Sequence, residues 1–336
     1  MTLIRPATKA ADASGTSRRA ATARAAAVLA LVALAALIPL LGPSAALHGT
    51  GEAAAPGVGG IALLRTVLFT AICVPVGEVF VNRLADRIPE APAELPRSWS
   101  LYAAAAGFLA ALGLASVVAT GNLVPHSLTQ IDVGGLYRTR DGSLALLEVN
   151  AFLVTGLCAL SRRPSTQMWP LAVVIVAEAL RAHPTTENSP LVGSGLTLVH
   201  LVCGALWVGT LLHALRTLRR WRSTEAGAAL LGLYARVAAV LLAGVTATGL
   251  CSTLRRMPAD TVLHQLTTTA YGRTLLAKVI LVAAVALLAL WARIRLSRAP
   301  DPLTACAPAR AEVAVLGVVV VVSGLLTALP LPIRWS

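Results

Sequence analysis

The sequence predicts an all-α, polytopic transmembrane helix bundle of about eight or nine spans with its N-terminus inside. Of its 336 residues, 57% are hydrophobic and only 13% are charged, whereas a soluble domain averages about 25% charged residues. The mean hydropathy is +0.76. The apolar runs are about 20 residues long, which suits a membrane-crossing helix, because a transmembrane barrel strand needs only about 10.

The N-terminal segment 1–24 mixes arginine and lysine with alanine, serine and threonine. This composition is typical of a disordered basic cytoplasmic tail. The first apolar run follows at 25–41, and Ser44-Ala45-Ala46 just after it resembles a signal-peptidase site. The run is therefore either retained as a helix or removed as a signal, and in both cases the next span starts outside.

Further apolar spans are predicted at 61–80, 100–119, 143–160, 169–183, 194–215, 228–250, 272–294 and 311–329. Together with the first run they make nine helices, or eight if that run is cleaved. We expect an N-terminal membrane helix bundle at 25–183 and a second membrane domain at 194–330, both sharing one membrane-embedded core.

Charge sets the expected orientation. The chain has 28 lysines and arginines against 15 acidic residues, a net charge of +13. With the N-terminus inside, most of the basic residues fall in cytoplasmic segments, as the positive-inside rule requires. No basic groove interleaved with aromatic residues is visible, so nucleic acid is not an expected partner. We expect a multi-pass membrane protein, with the lipid bilayer as its surroundings.

Signatures of soluble catalysis are missing from the sequence. The five cysteines are scattered singly, which indicates neither a disulfide framework nor a thiolate zinc site. The sequence contains no G-x-S-x-G, no Walker A motif and no H-E-x-x-H. We therefore expect no enzymatic activity.

Polar residues within the apolar spans are costly in lipid and mark the first place to look for function. His200, Cys203 and Trp207 are spaced i, i+3 and i+7 on one helical face. An imidazole there can bind a metal, bind haem or form a hydrogen bond across helices. Cys203 is either a soft ligand suited to Cu(I) or a small apolar residue.

Lys278 lies about six residues into its predicted span, and a lone ammonium there should snorkel outward or pair with a carboxylate. Glu148 and Glu178 are the candidate partners. Together with His200 they would line a polar pocket open to the outside.

The remaining histidines are expected mainly on the outer side. His183 and His264 lie in predicted external loops and are candidate entry ligands for a metal, whereas His213 lies at the inner end of its span. Glu78 and Glu312 lie near inner helix ends and are expected to face the cytoplasmic interface.

Two stretches carry a family resemblance. The run 196–212, with His200, Cys203 and Trp207-Val208-Gly209, and the run 266–278, with Tyr271-Gly272-Arg273 ahead of Lys278, resemble the copper resistance protein D (CopD) family. The resemblance covers roughly 194–296 and continues weakly to 329. It differs in having Ala292-Arg293 where the family usually has Asn-Arg.

The resemblance implies a protein of copper uptake or tolerance in a bacterial plasma membrane, with copper as its ion. An external or periplasmic copper-binding protein and oxidase assembly factors are the implied partners, and Tyr271 and Arg273 are implied pocket residues. Only three methionines occur in the chain, which excludes a route built from methionine clusters and leaves histidine, cysteine and carboxylates.

The leading hypothesis is a copper-handling membrane protein with His200 as its central ligand. Two alternatives stay open at this point. One is a haem- or quinone-linked electron-transfer bundle, and the other is a non-transporting scaffold for the assembly of a copper enzyme.

Overall fold

The computed structural model describes residues 29–30, 33–53, 55–89, 91–121, 124–125, 127–221, 224–298 and 306–331. The predicted tail at 1–24 lies outside these residues. The described chain is helical throughout its regular structure, without a strand. Its helices are α1 (Ala33–Leu47), α2 (Val58–Ala85), α3 (Ser100–Ala119), α4 (Val133–Arg138), α5 (Arg140–Leu160), α6 (Met168–Arg181), α7 (Pro190–Trp221), α8 (Thr224–Arg256), α9 (Val262–Thr268), α10 (Ala270–Arg298) and α11 (Cys306–Leu326).

The all-α membrane fold is confirmed. A helix lies at each of the nine predicted spans, and seven of those helices are long and apolar enough to cross a membrane. The other two are α1 and α6. Because α6 has only 14 residues, it measures about 21 Å at 1.5 Å per residue, less than the roughly 30 Å of hydrocarbon. The short helices α4 and α9 occupy segments that the sequence predicted as loops.

The centre of the bundle is α2, which packs against α3, α6, α7 and α11. Helix α7 packs in turn against α2, α6, α8 and α11, while α10 lies at the periphery on α9 and α11. A core cluster of α2, α3, α5 and α6 side chains, including Leu68, Phe152 and Leu171, meets a second cluster centred on Trp207 and Leu211 of α7. The two clusters thus pack together through α2 and α7.

The closest helix crossing joins α2 to α7. A Cβ placed on Gly77 would clash with the backbone of Gly209, and one placed on Gly209 would clash with the carbonyl of Cys73. Small residues allow helix backbones to approach in lipid, where packing rather than water exclusion drives association. Pro75 lies inside α2 next to this crossing and removes one backbone donor from the helix.

Loops at each end of the bundle meet one another across the helices. At one end, Arg273 Nη1 donates to the carbonyl of His48 at 2.7 Å, and Arg255 Nη2 donates to Glu187 Oε1 at 3.4 Å. At the opposite end, Trp221 Nε1 donates to the carbonyl of Glu94 at 3.0 Å. The first end carries the loops predicted to be external and is called the outer face below; the other is called the inner face. Which face meets the cytoplasm stays a prediction.

Candidate functional site

A cavity of about 230 Å³ lies between α2, α7, α8, α10 and α11 in the outer half of the bundle. Most of its wall is apolar, supplied by residues such as Phe69, Leu201, Val245 and Leu316. The ionisable and aromatic polar residues that also line this outer cavity are Cys73, Glu178, His200, Trp207, Arg256, Tyr271 and Lys278. A largely apolar cavity with a few convergent polar groups is the usual form of a binding site for a small ligand.

The ring of His200 is oriented by α8. Its Nδ1 lies 2.9 Å from Thr248 Oγ1, and that hydroxyl donates its one proton to the carbonyl of Gly244 at 2.6 Å. In the tautomer with the proton on Nδ1, the hydroxyl accepts a hydrogen bond from His200 while it donates to Gly244, and Nε2 carries the lone pair. None of the described residues forms a hydrogen bond with Nε2.

Lys278 lies in the wall of the same cavity without a counter-ion. Among the described residues, none accepts a hydrogen bond from its ammonium or pairs with it. The expectation that Glu148 or Glu178 balances Lys278 is wrong. Arg181 Nη1 donates to Glu148 Oε2 at 2.6 Å, and Arg65 donates to both oxygens of Glu178.

The four ionisable side chains that replace the expected pairs form a buried network. Arg181 lies between the carboxylates, 2.6 Å from Glu148 and 3.8 Å from Glu178, so the network joins α2, α5 and α6. Glu148 is fully buried, and loss of one partner from such a pair costs about 3–5 kcal/mol. The sequence predicted these partners because Lys278 and the glutamates lie at similar depth in the membrane. Depth does not show which side of a helix a residue occupies.

The other predicted metal ligands lie apart from one another. Cys203 does not line the outer cavity; its Sγ packs against Gly244 of α8. His264 is exposed on α9, and His183 lies in the loop after α6. No group of three or more histidine, cysteine, aspartate or glutamate side chains converges in the part of the chain that the structure describes.

His183 is buried, and both of its ring nitrogens are occupied. Nδ1 lies 2.5 Å from Glu187 Oε2, and Nε2 lies 2.9 Å from Thr197 Oγ1. Burial lowers the pKa of His183, and the charges of Arg256 and Arg255 lower it further, while the contact with Glu187 opposes them. The contact with Thr197 attaches the loop to α7. No ring nitrogen of His183 is left free for a metal.

Tyr271 and Arg273 lie at the start of α10 and differ in role. Tyr271 lines the outer cavity, and its hydroxyl accepts a hydrogen bond from Arg256 Nη1 at 3.1 Å. Arg273 points away from the cavity wall and donates to the carbonyls of Thr267 and His48, both at 2.7 Å. Arg273 therefore joins the outer loops.

A second cavity, of about 330 Å³, opens at the inner face. This inner cavity is lined by polar side chains that include Glu78, Asn82, Asp86, Gln167 and His213. The sequence placed Glu78 at the interface, but it is buried. Its four hydrogen bonds come from Ser98 Oγ, Ser100 Oγ, the Trp99 backbone N–H and Arg216 Nη1. The signal that could have revealed this cluster is the pairing of Glu78 with Arg216, two charges inside apolar helices.

Glu312 is likewise buried rather than interfacial. Its Oε1 accepts a hydrogen bond from the Tyr234 hydroxyl at 3.0 Å. Both side chains lie against the apolar cluster around Trp207. The position of Glu312 near the end of its predicted span therefore did not predict exposure.

Comparison with known proteins finds a similarity in the C-terminal part of the chain. Residues 228–327 match the family of copper resistance protein D (CopD). Neither a curated protein nor a solved structure matched the chain. The matched residues run from α8 to the end of α11, so Thr248 and Lys278 lie inside the match, whereas His200 on α7 precedes it.

Proposed function

We propose that this multi-pass membrane protein, which carries a CopD domain, moves copper ions across the plasma membrane and takes them up at the outer cavity. The observation that supports this proposal is His200 at the wall of the cavity, whose Nδ1 contacts Thr248 and whose Nε2 forms no hydrogen bond with the described residues. The protein acts in this proposal as a carrier without catalysing a reaction.

A second residue fixes the ligand in the form that binds metal. Metal-binding histidines usually donate their other ring N–H to a neighbouring oxygen, which sets the tautomer and the ring orientation. Thr248 Oγ1 supplies that oxygen here, at 2.9 Å from Nδ1. Imidazole suits copper among the first-row metals, and a copper ion is the cargo that the CopD match favours.

Lys278 determines the form in which copper enters. A positive ammonium in a cavity with an apolar wall repels a bare cation, because charges interact strongly where water is scarce. We therefore expect copper to arrive with a negatively charged ligand or from an external copper-binding protein that supplies one. Lys278 would hold that ligand as a hydrogen-bond donor.

The first test measures metal binding by the purified protein. Anaerobic titration with Cu(I), and aerobic titration with Cu(II), compares the wild type with His200→Ala. The matched control is His264→Ala, because His264 is exposed on α9. We expect His200→Ala to lose the tightest site and His264→Ala to keep it.

A substitution of Thr248 gives a second test by the same copper titration. Thr248→Val removes the oxygen that His200 Nδ1 donates to, and we expect copper affinity to fall about 10–100-fold. Thr253→Val is its control, since Thr253 also lines the cavity but its hydroxyl bonds only to the Gly249 carbonyl of its own helix. The proposal is wrong if His200→Ala inserts normally and matches the wild type in copper binding, cellular copper content and copper sensitivity.

A quinone site is a second candidate function, favoured by the unpaired Lys278 in a cavity of mostly apolar wall. A quinone carbonyl would accept a hydrogen bond from the lysine, and its ring would fill the apolar part. Extraction of quinone from the purified protein, lost in Lys278→Met, would support this candidate. Copper binding that depends on His200, with no quinone extracted, would exclude it.

A further inference from the structure

A buried carboxyl group without a cation lies in the membrane-spanning part of α11. Glu312 is 2% exposed and lies against the apolar cluster around Trp207, which joins α7, α8, α10 and α11. It forms no ion pair with any described residue. The three other buried glutamates each pair with an arginine: Glu78, Glu148 and Glu178. An ionised carboxylate in apolar surroundings is costly and takes up a proton instead, so this site favours a neutral acid.

One hydroxyl and one indole lie next to this carboxyl group. The Tyr234 hydroxyl of α8 donates to Glu312 Oε1 at 3.0 Å, and the indole of Trp207 lies beside both side chains. Among the described side chains, Tyr234 is the one titratable group that faces Glu312.

The other ionisable side chains of the surrounding helices face elsewhere. Three arginines of α8, α10 and α11 are exposed: Arg236, Arg293 and Arg310. Those of α2 and α7 belong to the buried networks already described, with Glu178 at one end and Glu78 at the other. Lys278 of α10 lies in the wall of the outer cavity. Glu312 is therefore the titratable carboxyl group of this cluster.

Tyr234 suits both protonation states of Glu312. A phenol hydroxyl donates to a carboxylate and also to the carbonyl oxygen of a neutral carboxyl group, so its hydrogen bond to Oε1 persists when a proton on Oε2 leaves. A hydrogen bond to the charged form stabilises that form. The site can therefore hold a proton and release it while α8 and α11 keep their contact.

Trp207 connects this carboxyl group to the outer cavity. Its indole lies in the cavity wall, and Leu316, about one turn beyond Glu312 on α11, lines the same wall. Along α7, His200 is seven positions from Trp207, about 10 Å at 1.5 Å per residue. Charges at such a separation still interact in a protein interior, where water is scarce.

A copper ion in the outer cavity adds a positive charge beside Lys278, which has no counter-ion among the described residues. An anion that arrives with Cu(I) balances one of these two charges. Loss of the proton from Glu312 supplies a negative charge for the other. The charge of the occupied cavity is then compensated within the helices that form it.

We propose that Glu312 is a proton-binding site whose proton leaves when copper occupies the outer cavity, so that the protein exchanges copper for a proton. This inference rests on the proposed function and adds the counter-transported ion to it. In the step, the neutral acid of Glu312 and one Cu(I) ion become a carboxylate, bound Cu(I) and one free proton. The oxidation state of copper does not change.

The first experiment counts the protons that copper binding releases. Purified protein in weak buffer at about pH 6 receives Cu(I) as its neutral acetonitrile complex without oxygen, and a pH indicator follows the solution. The wild type should release one proton per copper, and Glu312→Gln should bind copper without releasing a proton. Glu225→Gln is the matched control, because Glu225 is exposed in the first turn of α8, and it should match the wild type.

The second experiment measures copper affinity against pH. Because the coupling between two sites is reciprocal, the proton must weaken copper binding by the factor by which copper weakens proton binding, and we expect about a tenfold loss between pH 8 and pH 6. Glu312→Gln should lose this dependence. Tyr234→Phe removes the donor that stabilises the carboxylate, so its loss of affinity should begin at a higher pH than in the wild type.

The third experiment tests exchange across a membrane. The full chain is placed in liposomes that enclose a pH indicator, with a potassium ionophore to hold the membrane potential constant and Cu(I) added outside. Copper entry should raise the internal pH with the wild type and with Glu225→Gln. With Glu312→Gln the internal pH should stay constant.

The outcomes separate the two proposals. If Glu312→Gln releases a proton with copper and keeps the pH dependence of the wild type, while His200→Ala binds no copper, the proton site is refuted and the proposed function stands. If His200→Ala binds copper as the wild type does, the proposed function is wrong and the exchange is wrong with it. Should Glu312→Gln elute as an aggregate, Tyr234→Phe decides by its pH profile, because an unshifted profile refutes the site.

Discussion

His183 shows how a single residue joins several helices at the outer face. Its ring contacts Glu187 in its own loop and Thr197 of α7, while Arg140 of α5 donates to its carbonyl at 3.4 Å. Arg255 of α8 reaches Glu187 from the other side. The protonation state of His183 therefore affects how well its loop holds to three helices, α5, α7 and α8.

Acidification should destabilise the protein through His183. Burial lowers the pKa of its imidazole in the folded chain, whereas the unfolded chain keeps the ordinary value near 6.5. Below about pH 6.5 the unfolded chain binds the proton more readily, so the free energy of unfolding falls as the pH drops towards the folded pKa. Above about pH 7.5 neither state is protonated, and His183 adds no pH dependence.

Thermal unfolding in detergent at pH 7.5, 6.5 and 5.5 checks this expectation. The melting temperature of the wild type should fall between pH 7.5 and 5.5 by more than that of His183→Gln, which cannot be protonated. His264→Gln serves as the control and should follow the wild type. Equal pH dependence in the wild type and His183→Gln would contradict the assignment to His183.

The sequence located the cavity residues better than it located their partners. The placement of His200, Trp207 and Lys278 along one cavity follows from their positions in the apolar runs, whereas Tyr271 was implied by the family resemblance. Thr248, the partner of His200, is 48 residues away on a helix that is apolar on nearly every side. The period of the hydrophobic residues cannot show which side of such a helix faces its neighbour. The sequence therefore did not reveal Thr248 as the partner of His200.

At the scale of helices, the α2–α7 crossing sets the spacing of the core. Gly209 touches α2, whereas Gly195 on the same helix is exposed and has open space around it. Gly→Ala favours a helix by about 1 kcal/mol at either position. The difference between the two substitutions therefore isolates the effect of the crossing.

Gly209→Ala should destabilise the protein by about 1–3 kcal/mol because the added methyl overpacks a backbone contact. Gly195→Ala should leave stability unchanged or raise it slightly. Chemical or thermal unfolding of both variants in the same detergent compares them directly. A Gly209→Ala protein as stable as Gly195→Ala would show that α2 and α7 do not meet at this point.

Helix positions were predictable because each apolar run is long and is ended by charge, proline or glycine. The ends of the helices were less predictable. Helices α7 and α8 extend several residues beyond the predicted spans 194–215 and 228–250. Their extra turns carry arginines, such as Arg216 and Arg255, that form hydrogen bonds to loops of the bundle. A hydropathy pattern detects the apolar part of a helix. It does not detect the terminal turns, whose side chains are polar and form hydrogen bonds.

At the scale of the whole molecule, orientation is the untested part of the predicted topology. Cysteine labelling resolves it in a variant whose five native cysteines are replaced by alanine. Ser127 and Ser161 are exposed at opposite faces. A membrane-impermeant maleimide should label Ser127→Cys in intact cells and label Ser161→Cys only after permeabilisation. The reverse pattern would place the N-terminus outside and the outer cavity towards the cytoplasm.

The side chains that form hydrogen bonds with Glu78 are synthesised at different times. Ser98 and Ser100 follow Glu78 by 20 and 22 residues, whereas Arg216 follows it by 138. At about 5–20 residues per second, the arginine is made roughly 7–28 s after the glutamate. During that interval the serine hydroxyls are the side-chain donors available to Glu78, so the nascent α2–α3 hairpin must protect this carboxylate before the cation arrives.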